Sequence, residues 1–174
     1  MMPYNKNSGF SLVETLAIIT ILAIIASISV PYFHIFFAKQ EAIQTIRTLN
    51  GFLKSAKNEA SVRHARIVIC SSSNYEQCEN NNWNNKIIAF LDSNANRKID
   101  HHDVVLKTES LQLKYGQLSW KAALNSPNII FNQELGLPIG YNGSFYYCNH
   151  THAIYHKIIL SKMGHVRTET LDNC

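Results

Sequence analysis

A chain of 174 residues with a net charge of +4 is only mildly basic, too weakly so to indicate nucleic-acid binding by itself. Its length suits one apolar anchor and one small globular domain, since the roughly 110 residues beyond Ser61 can bury a modest core but not two. All four cysteines lie outside the apolar N-terminal run, an even set that in an exported domain is most simply two disulfides.

The first element is Gly9-Phe10-Ser11-Leu12-Val13-Glu14 and the apolar run that follows it to Val30 and Pro31. From Thr15 to Ala38 there is no Asp, Glu, Lys or Arg. At 1.5 Å per residue such a helix crosses a hydrocarbon core of about 30 Å, so the run is expected to be a membrane helix. An ordinary signal peptide would follow its apolar core with small residues, whereas Pro31-Tyr32-Phe33 stands here. A carboxylate, Glu14, sits at the leading edge of the run. Burying it in lipid costs roughly 2.5–3.5 kcal/mol, so it is expected to have a partner, or else to reach back to the interface as part of a plain anchor.

Lys6-Asn7-Ser8-Gly9, then Phe10-Ser11-Leu12-Val13-Glu14, resembles the class III signal of type IV pilins and type II secretion pseudopilins. The resemblance implies cleavage by a prepilin peptidase after Gly9 and N-methylation of Phe10. Glu14 and Pro31 then take the fifth and twenty-second mature positions, both of which the family marks for filament assembly. Removing nine residues leaves 165 and, with Lys6 gone, a net charge of +3. Glu14 can then neutralise the cationic amino terminus of a neighbouring subunit.

Beyond Pro31 the helix is expected to continue to about Val62, some 80 Å in all. Ile43, Ile46, Leu49, Leu53, Ala56 and Ala60 recur at spacings of three and four, with charged residues between them. Gly51 falls inside this pattern, where it marks a bend or a close contact and costs about 1 kcal/mol against alanine. From Ala65 the pattern changes to short strands: 66–70, 86–91, 104–108, 111–114, 117–120, 129–132, 144–148, 153–161 and 166–169. Turn signals such as Tyr115-Gly116, Ser126-Pro127 and Asn142-Gly143 separate them. Four cysteines allow three pairings. The favoured one joins Cys70 to Cys78 around a short polar loop and Cys148 to Cys174 at the C-terminal tail. A zinc site lacks the CxxC spacing it would need.

Val68-Ile69-Cys70-Ser71-Ser72, Cys78, Trp83, Ala89-Phe90-Leu91-Asp92 with Asn94-Ala95-Asn96, and Gly164-His165-Val166-Arg167 resemble the GspH/FimT family of minor pilins and pseudopilins. The implied fold is α+β, a pilin fold with a long N-terminal helix packed on antiparallel sheets. The implied organisation is a cleaved leader (1–9), a membrane and filament-packing half helix (10–34), an amphipathic half helix (35–62) and a β-rich head (63–174).

DNA-binding FimT-like pilins carry Gly-Arg-x-Arg where this chain has Gly164-His165-Val166-Arg167, so of the two arginines only Arg167 matches and His165 replaces the first. Lys162, Gly164, His165 and Arg167, with Lys157, are the candidate DNA contacts. Three phosphate contacts would give a salt slope of only about −2.7 and no sequence preference; the alternative is a solvated strand edge carrying protective charges. Arg63, His64 and Arg66 are expected to cap the helix end or remain solvated, the alternative being that they extend a basic patch.

Asp92, Asn94, Asn96, Asp100 and Asp103 imitate the oxygen ligands of an EF-hand loop, although Arg97 replaces the turn glycine and Asp103 is shorter than the usual glutamate. Cys148, His150, His152 and His156 share parity and would face one way on a continuous strand. No catalytic motif stands out, and the chain is expected to be neither an enzyme nor a cofactor carrier. The expected function is that of a minor type IV pilin in pilus assembly, with DNA captured non-specifically for natural transformation; the alternative is a minor pseudopilin of a type II secretion system. Expected partners are major and minor pilins, the prepilin peptidase, the inner membrane before assembly, and DNA. The head is expected in the periplasm and then at the cell surface.

Overall fold

The computed structural model describes residues 11–174, so the leader and the expected cleavage and methylation site at Gly9 and Phe10 lie outside the described residues. Helix α1 runs from Leu12 to Arg63 and continues through position 31. Ser11 precedes it, its hydroxyl accepting the Glu14 amide at 3.2 Å, as a capping serine does three residues ahead of a glutamate. The chain divides into a unit that ends at Phe37 and a second unit, Ala38–Cys174. In the first, the large apolar side chains from Leu12 to Phe37 all lie exposed. Among the described residues α1 is the one helix long and apolar enough to cross a membrane.

In the second unit α1 buries Ala38, Ala42, Thr45, Leu49, Phe52, Leu53, Ala56 and Ala60. This stripe corrects the sequence expectation at one end, because Ile43 is exposed and Ala42 is buried in its place. Small side chains let a sheet approach the helix closely, and Thr45 satisfies its hydroxyl on the Glu41 carbonyl at 2.8 Å. Gly51 is exposed, and a Cβ there would meet nothing within 4 Å, so it marks no close contact.

Eight strands follow: β1 (Ile67–Ser72), β2 (Lys86–Leu91), β3 (Val104–Ser110), β4 (Gln117–Ala122), β5 (Ile129–Phe131), β6 (Gly143–Asn149), β7 (Ile154–Leu160) and β8 (Val166–Thr170). They form two antiparallel sheets, ordered β3-β2-β1-β5 and β4-β6-β7-β8. One core joins the buried face of α1 to the inner faces of both: Ile67, Ile69 and Ile87 from the first, Trp120, Phe145 and Ile158 from the second.

The two sheets differ on their other faces. Val68, Cys70, Ile88, Phe90 and Ile130 form a second buried cluster, with Tyr75, Cys78, Ile99 and Tyr141 packed against it. The far side of β1, β2 and β5 is therefore also covered, in part by the loop that the Cys70–Cys78 disulfide closes, while the edge strand β3 keeps Val104 and Val105 exposed. That explains why β1 and β2 are nearly continuous apolar runs. The second sheet keeps the alternation of a half-buried sheet, with β4 and β6 burying every second residue.

Leu111–Lys114, expected as a strand, is instead a connecting turn. Its amides are taken locally: Leu111 and Gln112 donate to the Asn85 carbonyl, and Leu113 donates to that of Asn84. Lys114, Tyr115 and Gly116 then donate to the carboxylate of Glu41 on α1. No donors are left for a strand partner.

Candidate functional site

The turn between β7 and β8 is built by its own backbone. Gly164 donates to the Ser161 carbonyl at 2.9 Å, Ser161 donates to the His165 carbonyl at 2.9 Å, and the His165 amide donates to the Ser161 hydroxyl at 3.1 Å. Gly164 takes φ +70°, the left-handed region that favours glycine. It is buried against α1, and a Cβ there would lie 2.8 Å from Cδ of Lys57. The Lys57 ammonium in turn donates to the Met163 carbonyl at 2.8 Å.

Glycine is thus needed here for two reasons, backbone conformation and the passage of a lysine stem. The result is a cleft lined by Lys54, Lys57, Asn58, Ser61, Gly164 and His165, with no carboxylate among its lining residues. His165, which lines it, and Lys162, on the same turn, are exposed. Sequence reasoning found the turn but missed Lys54 and Lys57, more than 100 residues away along the chain. Their i, i+3 spacing on one helix face was the available signal.

Arg167 points elsewhere. It stands opposite Ile159 in the β7–β8 register, while Val166 stands opposite buried Leu160. Arg167 therefore projects from the outer face of the second sheet, where its side chain is 72% exposed and its Nε lies 3.5 Å from Glu169 Oε1. An exposed pair of this kind is worth little and leaves the guanidinium able to exchange partners.

The other candidates are used structurally. Arg63 pairs with Glu59 one turn back on α1, and His64 takes φ 48° just past the helix end. Arg66 lies 3.4 Å from the buried carboxylate of Asp92. Asp92 also accepts the amides of Asn96 and Arg97. Asp100 accepts the His102 amide and the side-chain amides of Asn94 and Asn96, which hold its carboxyl down to about 2, the His102 amide contributing most. Asp103 accepts the amides of Ser93 and Asp100. The structure therefore brings Asp100 to Asn94 and Asn96 but places Asp92 on an arginine, and the loop's own donors occupy its oxygens. Among the described residues no group of three or more His, Cys, Asp or Glu side chains is gathered for a metal ion.

Cys148 and Cys174 form the second disulfide. The expected one-faced row of Cys148, His150, His152 and His156 is broken, because β6 ends at Asn149 and a turn precedes β7. His156 stands opposite buried Tyr147. Glu14 and Pro31, the candidate assembly residues, lie in the first unit on α1, where Glu14 is exposed.

Residues 45–164 match the family model described as type II transport protein GspH, and residues 4–30 match the prokaryotic N-terminal methylation motif. Two crystal structures of the Pseudomonas aeruginosa type IV minor pilin FimU share the fold. One aligns with a TM-score of 0.54 at 16% identity, covering 79% of this chain and 98% of that one. The other, in a second crystal form, gives 0.51 at 16% identity and covers 75% and 98%. No curated protein matches the chain. With a helix packed on two antiparallel sheets and a family match across the head, the chain belongs to the GspH family and has the fold of a minor type IV pilin or pseudopilin.

Proposed function

We propose that the protein is a minor type IV pilin that takes part in pilus assembly and holds DNA during uptake. The supporting observation is the cleft where Lys57 reaches the Met163 carbonyl. It sets the helix cations Lys54 and Lys57 beside Gly164 and His165, on the turn that carries the family's DNA motif in related pilins. These lysines supply positive charge where His165 replaces an arginine. Binding is to phosphate and so independent of sequence, with each neutralised phosphate adding about −0.9 to the salt slope.

Processing follows from the N-terminal motif. A prepilin peptidase cuts after Gly9, Phe10 is methylated, and Glu14 and Pro31 act in filament packing. Residues 10–34 hold the chain in the inner membrane before assembly, 35–62 pack on the head, and the head of 63–174 stands in the periplasm until it enters a pilus with other pilins. A second reading, a minor pseudopilin of a type II secretion system, is favoured by the description of the family model itself.

The test is a salt-titrated DNA-binding assay on the full chain in detergent. Binding that weakens with salt, with a shallower salt dependence after Lys54→Glu and Lys162→Glu, supports the pilin reading. No binding at low salt, together with loss of protein export on deletion of the gene, supports the pseudopilin.

A further inference from the structure

The second sheet leaves its outer face open, with β4 and β6 burying only every second residue, whereas β1, β2 and β5 of the first sheet are buried on both faces. The register fixes what that face carries. Tyr146 stands opposite Ser119 on one side and Lys157 on the other, and Lys157 stands opposite Glu169. In the adjacent row Lys121 pairs with Ser144, Ser144 with Ile159, and Ile159 with Arg167. These residues alternate with buried Phe145, Tyr147 and Ile158, so they point outward together.

Two cations share one ring. The Lys121 ammonium lies 4.8 Å from the centroid of Tyr146, and that of Lys157 lies 5.7 Å away. A ring quadrupole attracts both and limits how far either swings into solvent. Arg167 is diagonal to Lys157 on the far side. From β4 to β8 is three strand spacings, so these cations span roughly 14 Å across the sheet. Glu169 is the one carboxylate on these two rows, and it sits beside Arg167.

We propose that this open face is itself a DNA-backbone surface, in which Tyr146 holds Lys121 and Lys157 in place and Arg167 continues the row toward the β8 edge. The inference rests on the DNA reading above and deepens it. Arg167 belongs to the sheet face and not to the cleft, so the strand being held crosses the outer side of the second sheet. The chemistry recognised is a chain of phosphates, whether from single-stranded or duplex DNA.

The experiment is a salt titration with the full chain in detergent, using fluorescent single-stranded and duplex DNA of equal length. Lys121→Gln with Lys157→Gln is expected to lower the slope of log K against log salt by about 1.8. Tyr146→Ala, which changes no charge, is expected to weaken binding, and Tyr146→Phe to restore it. Glu169→Gln is expected to tighten binding. Weakening on both DNAs assigns the face to the phosphate backbone; weakening on neither, while the unaltered protein still binds, overturns the sheet-face proposal alone. If the unaltered protein binds neither DNA at low salt, the DNA reading falls and this proposal falls with it.

Discussion

Tyr147 donates its phenol to a carboxylate oxygen of Glu41 at 2.9 Å, joining the middle of the second sheet to α1 across 106 residues of sequence. The same carboxylate accepts the amides of Lys114, at 2.6 Å, and Gly116, at 2.9 Å, so one side chain closes a turn that has no strand partner. Burial raises the Tyr147 phenol well above its ordinary value, and the bond to Glu41 adds to this. Hydrogen bonds to a charged group contribute about 1.5–3 kcal/mol each, without simple additivity. Glu41→Ala is therefore expected to cost about 2–4 kcal/mol in denaturant unfolding, and Tyr147→Phe about 1–2 kcal/mol. A double-mutant cycle should return a coupling of at least about 0.5 kcal/mol; additive costs would show that the bond contributes nothing.

Gly116 depends on the same tyrosine. A Cβ at that position would lie 2.3 Å from Cζ of Tyr147 and 2.4 Å from its oxygen. The ring is buried and cannot swing aside, so the backbone of the turn must move instead. Gly116→Ala is expected to destabilise by about 1–3 kcal/mol, the ordinary range for overpacking. A melting temperature equal to that of the unaltered protein would mean that the turn is free to shift.

Gly51 is the opposite case. It lies inside α1 and a Cβ there touches nothing within 4 Å. Gly51→Ala is expected to stabilise the second unit by about 0.5–1 kcal/mol through helix propensity alone. A loss of stability would reveal that the position is covered by another subunit or needs to bend.

The contrast between these glycines shows what local sequence can and cannot convey. The apolar run, its leading Glu14 and the runs Ile67–Cys70 and Ile87–Leu91 are legible because each is a contiguous pattern. The Gly164 turn is legible for the same reason. Whether a strand is covered on one face or two depends on loops that close over it later, such as the one holding Tyr75 and Cys78. Leu111–Lys114 alternates like a strand, yet its donors go to Asn84, Asn85 and a glutamate 73 residues upstream. Periodicity does not record which backbone donors are already taken. It also favours large side chains, which is why Ile43 stood out when Ala42 is the buried residue. Lys54 and Lys57 look like ordinary solvated helix charges until a distant turn is folded against them.

His156 offers a test by pH. It stands opposite Tyr147 on one side and Thr170 on the other, and its Nδ1 is buried without a hydrogen-bond partner among the described residues. Burial lowers its tendency to take a proton below the ordinary value of 6.5. The unfolded chain therefore binds more protons than the folded one just below that value. Stability attributable to this residue is complete above about pH 6.5 and is lost as pH falls through the lower folded value. His156→Gln is expected to flatten the part of the stability profile just below the ordinary imidazole value that this group produces. An unchanged profile would assign that slope to other residues.

Gly164 couples the turn to the cleft, and two substitutions separate its roles. Its φ of +70° is costly for a side chain, and an added Cβ would come within 2.8 Å of Cδ and 3.2 Å of Nζ of Lys57. Gly164→Ala is expected to cost roughly 1–2 kcal/mol from the backbone alone, with some further loss if the lysine stem gives way. The stem is flexible, so Lys57 would shift and release the Met163 carbonyl while the protein keeps the same charge. Lys57→Met removes the charge and the bond to Met163 but imposes no strain. Under the DNA reading, Lys57→Met should lower the salt slope by about 0.9 with a small effect on unfolding. Gly164→Ala should lower stability and affinity while leaving the slope close to that of the unaltered protein. If both substitutions destabilise the head and neither changes DNA affinity, Lys57 is a structural tie between helix and turn, and the cleft is not where phosphate is held.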